Sequence, residues 1–93
     1  MISGTTRSGF EYTVDERILT DWRFTMALTK TQNGKNELEQ IAGAQEMVVL
    51  MLGKEGVEAL TSHIAEANDG FVPADAVMNE VKEMLENAKP AKN

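Results

Sequence analysis

The chain of 93 residues contains no cysteine, two prolines and one histidine. Without cysteine it has no disulfide framework, no thiolate nucleophile and no cysteine-ligated metal. The longest uninterrupted apolar run is the six residues from Met47 to Leu52, whereas a membrane-spanning helix needs about 20. The first nine residues carry one arginine and no apolar block. We therefore expect neither a signal peptide nor a membrane anchor.

Positive charge is also scarce, and it is unevenly distributed. Nine lysines and arginines stand against fifteen acidic residues, which gives a net charge of −6. Residues 15–36 are net +1, whereas residues 37–69 carry seven acids against Lys54 and are net −6. Such a surface repels phosphate backbones, because binding to them depends on lysine and arginine. Nucleic acid is therefore not an expected partner, and we interpret the acidic middle as a solvated face.

Length and composition predict one small domain over residues 1–93. A chain of this size buries about 60–65% of its unfolded surface, which is enough for independent folding. Its 42% hydrophobic and 26% charged residues are typical of a folded protein rather than a disordered one. Residues 1–8 and 89–93 carry few apolar side chains. We expect both ends to be flexible unless another segment pairs with them.

The spacing of apolar residues predicts a mainly α fold, a compact four-helix domain with a short N-terminal extended segment. Phe10, Tyr12 and Val14 alternate with polar residues, which is typical of a half-buried strand. Such a strand must pair with another strand, lie on the helices or add to a partner's sheet. Apolar residues then recur at helical spacing in four segments. The predicted helices cover residues 15–30, 36–52, 54–67 and 74–88.

Turn residues separate these predicted helices. Asn33-Gly34 and Asp69-Gly70 are turn signals, Gly53 is a plausible helix C-cap, and Pro73 suits the first turn of the last helix. The buried stripes of the four helices then define the expected core. Its predicted members are Trp22, Val48, Val49, Leu52, Leu60, Ile64, Val81 and Leu85. At a core position Val49→Asp buries an unpaired charge, so we expect that variant to be strongly destabilised.

The sequence contains no side-chain set with the spacing of a catalytic or metal site. His63 and Glu66 could share a helix face, but a metal needs three or four ligands and there is no second histidine or cysteine. Ser62 is adjacent to His63, and adjacent side chains do not face each other on a helix. We therefore predict no enzymatic activity, no metal and no cofactor. His63 is interpreted as a partly exposed helical residue.

Methionine is comparatively abundant, with six residues. Helical methionines mostly fill cores, while those at a surface can form adaptable binding sites. Met84 lies beside the apolar stripe of the last predicted helix, and Phe71 falls on a predicted turn. We therefore predict that Phe71 and Met84 contact a protein partner.

Four segments that span most of the chain carry a resemblance to a known family. They are Gly9-Phe10-Glu11-Tyr12 leading to Asp15-Glu16, Leu19-Thr20-Asp21-Trp22 with the following Leu28, Leu50-Met51-Leu52-Gly53-Lys54-Glu55 ahead of Leu60, and Gly70-Phe71-Val72-Pro73 before the last predicted helix. In these segments the chain resembles the tail assembly chaperones of siphophages and prophages of Gram-positive bacteria.

The resemblance implies a helical, non-enzymatic protein of the host cytoplasm. Its members bind the tape measure protein, keep its long helical segments from aggregating and help to recruit the major tail protein during tube polymerisation. They are usually absent from the finished virion, and many also exist in a longer, frameshifted form. Two alternatives stay open, a structural tail or connector component of the particle and a small prophage-encoded regulatory binding protein. Self-association also stays open.

Overall fold

The computed structural model describes residues 1–88, and the predicted flexible tail at 89–93 lies outside this range. Strands β1 (Ile2–Thr5) and β2 (Glu11–Val14) form an antiparallel hairpin, followed by a 3₁₀ turn (Glu16–Thr20). Three helices follow, α1 (Trp22–Asn33), α2 (Glu37–Ala67) and α3 (Ala74–Ala88). The prediction of a mainly helical chain with a small β element is confirmed, whereas the count of four helices is not matched.

The predicted helix over 15–30 is divided by two aspartates that each cap a helical segment. The Asp15 carboxylate accepts a hydrogen bond from the Arg17 backbone N–H at 3.0 Å, which starts the 3₁₀ turn. The Asp21 carboxylate accepts one from the Arg23 N–H at 2.8 Å, which starts α1. Asp21 itself is extended, with φ −70° and ψ 136°. A regular helix therefore cannot pass through it, because an N-cap residue has non-helical backbone angles.

The two helices predicted at 36–52 and 54–67 form one element, α2, with a kink at Gly53. Gly53 has φ 74° and ψ 171°, a combination that is essentially restricted to glycine. We call residues 37–52 the first arm of α2 and residues 54–67 its second arm. The Asn36 side chain caps the first arm by accepting from the Glu39 N–H at 2.9 Å. The break was thus predicted at the right residue, although the chain continues as a kinked helix.

The hairpin shows what the N-terminal residues pair with. Ile2 lies opposite Val14 and Thr5 lies opposite Glu11, so the first strand supplies the partner that the predicted strand requires. The alternation predicted for β2 is confirmed, because Tyr12 and Val14 are buried and Glu11 is exposed. The apolar face of the hairpin therefore lies on the helices.

The core lies between the hairpin and the helices. Its largest fully buried side chains are those of Val14, Leu60, Val81 and Met84. The predicted core residues Val48, Leu60, Ile64 and Val81 are buried, and Leu52 and Leu85 are partly buried against the same cluster.

Two predicted core residues, Trp22 and Val49, are instead 74% and 52% exposed. On α1 the buried side chains are Phe24 and Ala27, and the helical spacing places Trp22 on the opposite side. On the first arm of α2 the inward face is formed by Ala44, Met47, Val48 and Met51. Val49 lies at the edge of that face, so the basis for a strongly destabilising Val49→Asp substitution is wrong.

Candidate functional site

An open apolar groove of about 520 Å³ lies between the two arms of α2 and the start of α3. The kink at Gly53 directs the two arms so that both contribute to its lining. The first arm contributes Ile41, Ala44, Gln45, Val48 and Val49; the second arm contributes Val57 and Thr61; the segment entering α3 contributes Val72, Ala74, Val77 and Met78. The lining is thus dominated by small and branched aliphatic side chains.

The lining contains two polar residues, Gln45 and Thr61. The Thr61 hydroxyl donates back to the Val57 carbonyl at 3.0 Å, within its own helix. Gln45 is exposed. Among residues 1–88, no charged residue belongs to this lining. What the groove offers a ligand is therefore apolar surface.

The wall formed by the first arm holds the exposed large apolar side chains of the groove lining. Ile41 and Val49 are 47% and 52% exposed, and Leu38, one turn before Ile41, is 79% exposed. Val49 and Gln45 also line a shallower depression between α1 and α2, together with Arg23 and Leu50. Single exposed apolar residues are normal, but contiguous ones mark interaction sites. This wall is the best candidate for contact with a partner.

The two residues predicted to bind a partner, Phe71 and Met84, differ in how far their side chains are exposed. Phe71 is 67% exposed. It directly precedes Val72 of the groove lining, although Phe71 itself does not belong to that lining. Met84 is 0% exposed, and its predicted surface position is wrong. Met84 lies three residues after Val81 and seven after Val77, a helical spacing that places all three on one face. That spacing was the signal in the sequence that could have assigned Met84 to the core.

A second exposed apolar pair lies on α1, apart from the residues that line the groove. Trp22 and Met26 are four residues apart, and 74% and 56% of their surface is exposed. Helical spacing puts them on one face, opposite the buried Phe24 and Ala27. Trp22 was predicted in the core because the apolar pattern does not show which side of α1 faces the core.

The groove lies in the acidic part of the molecule. α2 carries six glutamates against Lys54, and α3 carries four acids against Lys82. Residues 1–36, in contrast, hold five basic and four acidic residues.

Several cations outside the groove are already paired with acids of the same chain. Arg17 bonds Asp15 at 2.6 Å, Arg23 bonds Asp21 at 2.9 Å, and Lys30 bonds Glu46 at 2.9 Å. Hydrogen bonds from the Arg17 and Arg23 side chains, and then from their backbone N–H groups, lower the pKa of Asp15 and of Asp21 to about 2.

A polar cluster on the hairpin side of α2 and α3 was not found by sequence reasoning. Glu80 accepts hydrogen bonds from the Thr6 hydroxyl at 2.7 Å and from the Ser8 hydroxyl at 3.0 Å. His63 Nε2 lies 3.0 Å from Ser8 Oγ, and the His63 ring lies 5.5 Å from the ring of Phe10. These residues are far apart in the chain and follow no local motif, so only the tertiary fold brings them together.

We call this cluster of Thr6, Ser8, His63 and Glu80 the polar clamp. The Ser8 hydroxyl donates to the Glu80 carboxylate, and Ser8 Oγ also lies within hydrogen-bond distance of His63 Nε2. In a nucleophilic triad the acid instead orients the histidine, and the histidine accepts the hydroxyl proton. Within residues 1–88 no group of three histidine or acidic side chains is arranged to hold a metal ion. The cluster ties the hairpin loop to α2 and α3.

None of the helices in the described part of the chain is both long and apolar enough to cross a membrane. No protein-family model matches the chain, and comparison with curated proteins and with solved structures likewise gives no match.

Proposed function

We propose that this chain is a tail assembly chaperone of a long-tailed phage or prophage. In the host cytoplasm it binds the tape measure protein and assists polymerisation of the tail tube from major tail protein. The observation that supports this proposal is the open apolar groove with Ile41 and Val49 about half exposed. The four segments that resemble the chaperone family supply the identity of the partner.

An apolar groove between helices suits a helical partner. An amphipathic helix binds such a groove by placing its apolar face in it. A tape measure protein without its tube exposes long apolar stripes, which aggregate unless they are covered. A chaperone must also release its client. Since Ile41 and Val49 are only half exposed before binding, each contributes roughly 1 kcal/mol when it is covered, and binding stays reversible.

The proposal is tested by co-expressing the chain with the tape measure protein of the same phage. The wild-type chain should move the tape measure protein into the soluble fraction, and the double variant Ile41→Glu with Val49→Glu should not. Met26→Glu is the matched control, because Met26 is 56% exposed on α1 and does not line the groove. If the wild-type chain leaves the tape measure protein insoluble, the proposal is wrong.

Phe71 provides a second, smaller test of the same surface. Phe71→Ala removes exposed aromatic area next to Val72 in the chain without creating a cavity. Capture should therefore weaken while the melting temperature stays nearly unchanged. Capture by Phe71→Ala that equals wild-type capture would restrict the contact surface to the groove itself.

The alternative with an observation in its favour is a structural tail or connector component. The exposed Trp22 and Met26 pair provides a second apolar surface, as expected of a subunit that contacts more than one neighbour. Detection of the chain in purified particles at a fixed ratio to the major tail protein would favour this alternative. Its absence from particles, together with capture of the tape measure protein, favours the chaperone.

A further inference from the structure

We infer that the groove selects an amphipathic helix whose apolar stripe is flanked by lysine or arginine. This inference rests on the proposed function, because it specifies which segments of a helical client the groove holds. The elements that line the groove are α2 and α3 with the turn between them, and both helices carry a large excess of acids. The apolar lining supplies the contact, and the acidic helices set the charge of the partner.

Acidic side chains stand directly beside the lining residues in the chain. Glu58 follows Val57, Asp75 follows Ala74, and both acids are exposed. Glu46 follows Gln45 and is paired with Lys30. The exposed cations of the same two helices are Lys54 and Lys82, fewer than the acids. The two helices that line the groove therefore carry a net negative charge, which favours cationic side chains on a helix seated between them.

The same charges disfavour a second copy of this chain as the occupant. The chain carries a net charge of −6, and its helices α2 and α3 are the acidic part. Placing either helix of another copy in the groove would bring like charges together at an interface, which costs several kcal/mol. Residues 1–36, with five basic and four acidic residues, offer little positive charge in compensation. A cationic helix from another protein suits the groove better.

The inference is tested with two labelled peptides of about 18 residues, roughly five helical turns. Both carry the same leucine stripe at helical spacing, and the flanking positions are lysine in one peptide and glutamate in the other. Binding to the whole chain is measured by fluorescence anisotropy at about 0.1 M and about 1 M salt, where the screening length falls from about 10 Å to about 3 Å. We expect the lysine peptide to bind at least tenfold more tightly at low salt, and the difference to shrink at high salt.

Two sets of variants assign the effect to the groove. Ile41→Glu with Val49→Glu should abolish binding of a peptide that needs the apolar lining. Glu58→Lys with Asp75→Lys should reverse the preference toward the glutamate peptide. Glu11→Lys with Glu16→Lys changes the net charge equally within residues 1–36, and it should leave the preference for the lysine peptide in place.

Several outcomes would overturn the inference. The first two are binding of the glutamate peptide that is as tight as or tighter than that of the lysine peptide, and no binding of either peptide. A third is that the chain forms dimers and that the Ile41 and Val49 variant does not. A fourth is that the Glu11 and Glu16 variant reverses the peptide preference as strongly as the Glu58 and Asp75 variant does. If the inference is overturned in any of these ways but the chain still captures the tape measure protein, the chaperone proposal stands without the selectivity for cationic helices. If the lysine peptide binds in the groove but the tape measure protein is not captured, the groove chemistry stands and the proposed function fails.

Discussion

The helices α2 and α3 have one side that is closed by the hairpin and another that is open at the groove. On the closed side Leu60, Val81 and Met84 are fully buried together with Val14 of the hairpin. On the open side Ile41 and Val49 are about half exposed, and they line a groove of about 520 Å³. Both sides use the same kind of side chain, branched aliphatics and methionine.

The difference between the two sides lies in what covers them. The closed side has a strand with alternating apolar residues, and the polar clamp ties that strand's loop to α3 through Thr6, Ser8 and Glu80. The open side has no comparable cover among residues 1–88. An apolar surface without a cover is the one at which we propose that a partner binds. We therefore interpret the closed side as the main source of stability and the open side as the proposed binding surface.

Truncating one side chain on each side gives the largest expected difference. Leu60→Ala opens a cavity in the closed core and should lower the free energy of unfolding by about 3 kcal/mol. For a domain of this size the melting temperature should fall by roughly 10 °C or more. Val49→Ala, at the groove, should cost less than about 1 kcal/mol. Urea unfolding of both variants measures the difference, and similar losses would contradict the division into a closed and an open side.

The backbone at Gly53 tests whether the stability of the fold depends on the kink in α2. Gly53 has φ 74° and ψ 171°, and a Cβ added there meets no atom within 4 Å. The cost of Gly53→Ala is therefore backbone strain alone, about 2 kcal/mol. Calorimetric unfolding should show this loss of stability in Gly53→Ala. A chemically synthesised chain with D-alanine at position 53 should regain most of the lost stability, since D-residues favour positive φ. Equal stability of the L- and D-alanine chains would show that the kink is not required.

The periodic pattern of apolar residues predicted much of the fold. It indicated strand β2, the helical segments, the break at Gly53 and the last helix at residues 74–88, which is the range of α3. It did not indicate that Asp15 and Asp21 would divide the first predicted helix, because two N-caps so close together make the helix start ambiguous. It also assigned Trp22 and Val49 to the core. An apolar stripe wider than the buried face leaves residues at its edges exposed, and only tertiary packing decides which residues those are.

The candidate site was less accessible to sequence reasoning. Phe71 was predicted on an exposed turn and is exposed, whereas Met84 was assigned to the surface and fills the core. The groove itself combines residues from two arms of one helix and from the entry to another. No local sequence pattern predicts that these residues come together in the fold. The same holds for the clamp, in which Ser8, His63 and Glu80 are brought together from three separate elements.

The clamp offers a way to loosen the closed side without touching its apolar core. Glu80→Gln replaces the charged acceptor of the Thr6 and Ser8 hydroxyls with a neutral one, which should cost about 1 kcal/mol. Hydrogen exchange should accelerate in strands β1 and β2 more than in α1. Glu86→Gln is the control, because Glu86 is an exposed acid on the same helix. Peptide binding at the groove should not change, and a loss of binding in Glu80→Gln would show that the two sides are coupled.

The smallest expected effect is a dependence on pH that arises in the segment joining the hairpin to α1. Asp15 and Asp21 cap this segment, and hydrogen bonds from Arg17 and Arg23 lower the pKa of each from 3.8 to about 2. Because the pKa is lower in the folded state than in the unfolded state, the contribution to stability is fully present above about pH 4. It is lost as the pH falls toward 2. Asp15→Asn with Asp21→Asn keeps a capping oxygen at each position but removes the charge. The difference in unfolding free energy between wild type and this variant should therefore shrink from pH 5 to pH 2. Urea unfolding at several pH values across this range measures it. A difference that is independent of pH would show that the aspartates act only as neutral caps, and that their charge does not help to hold the hairpin cover in place.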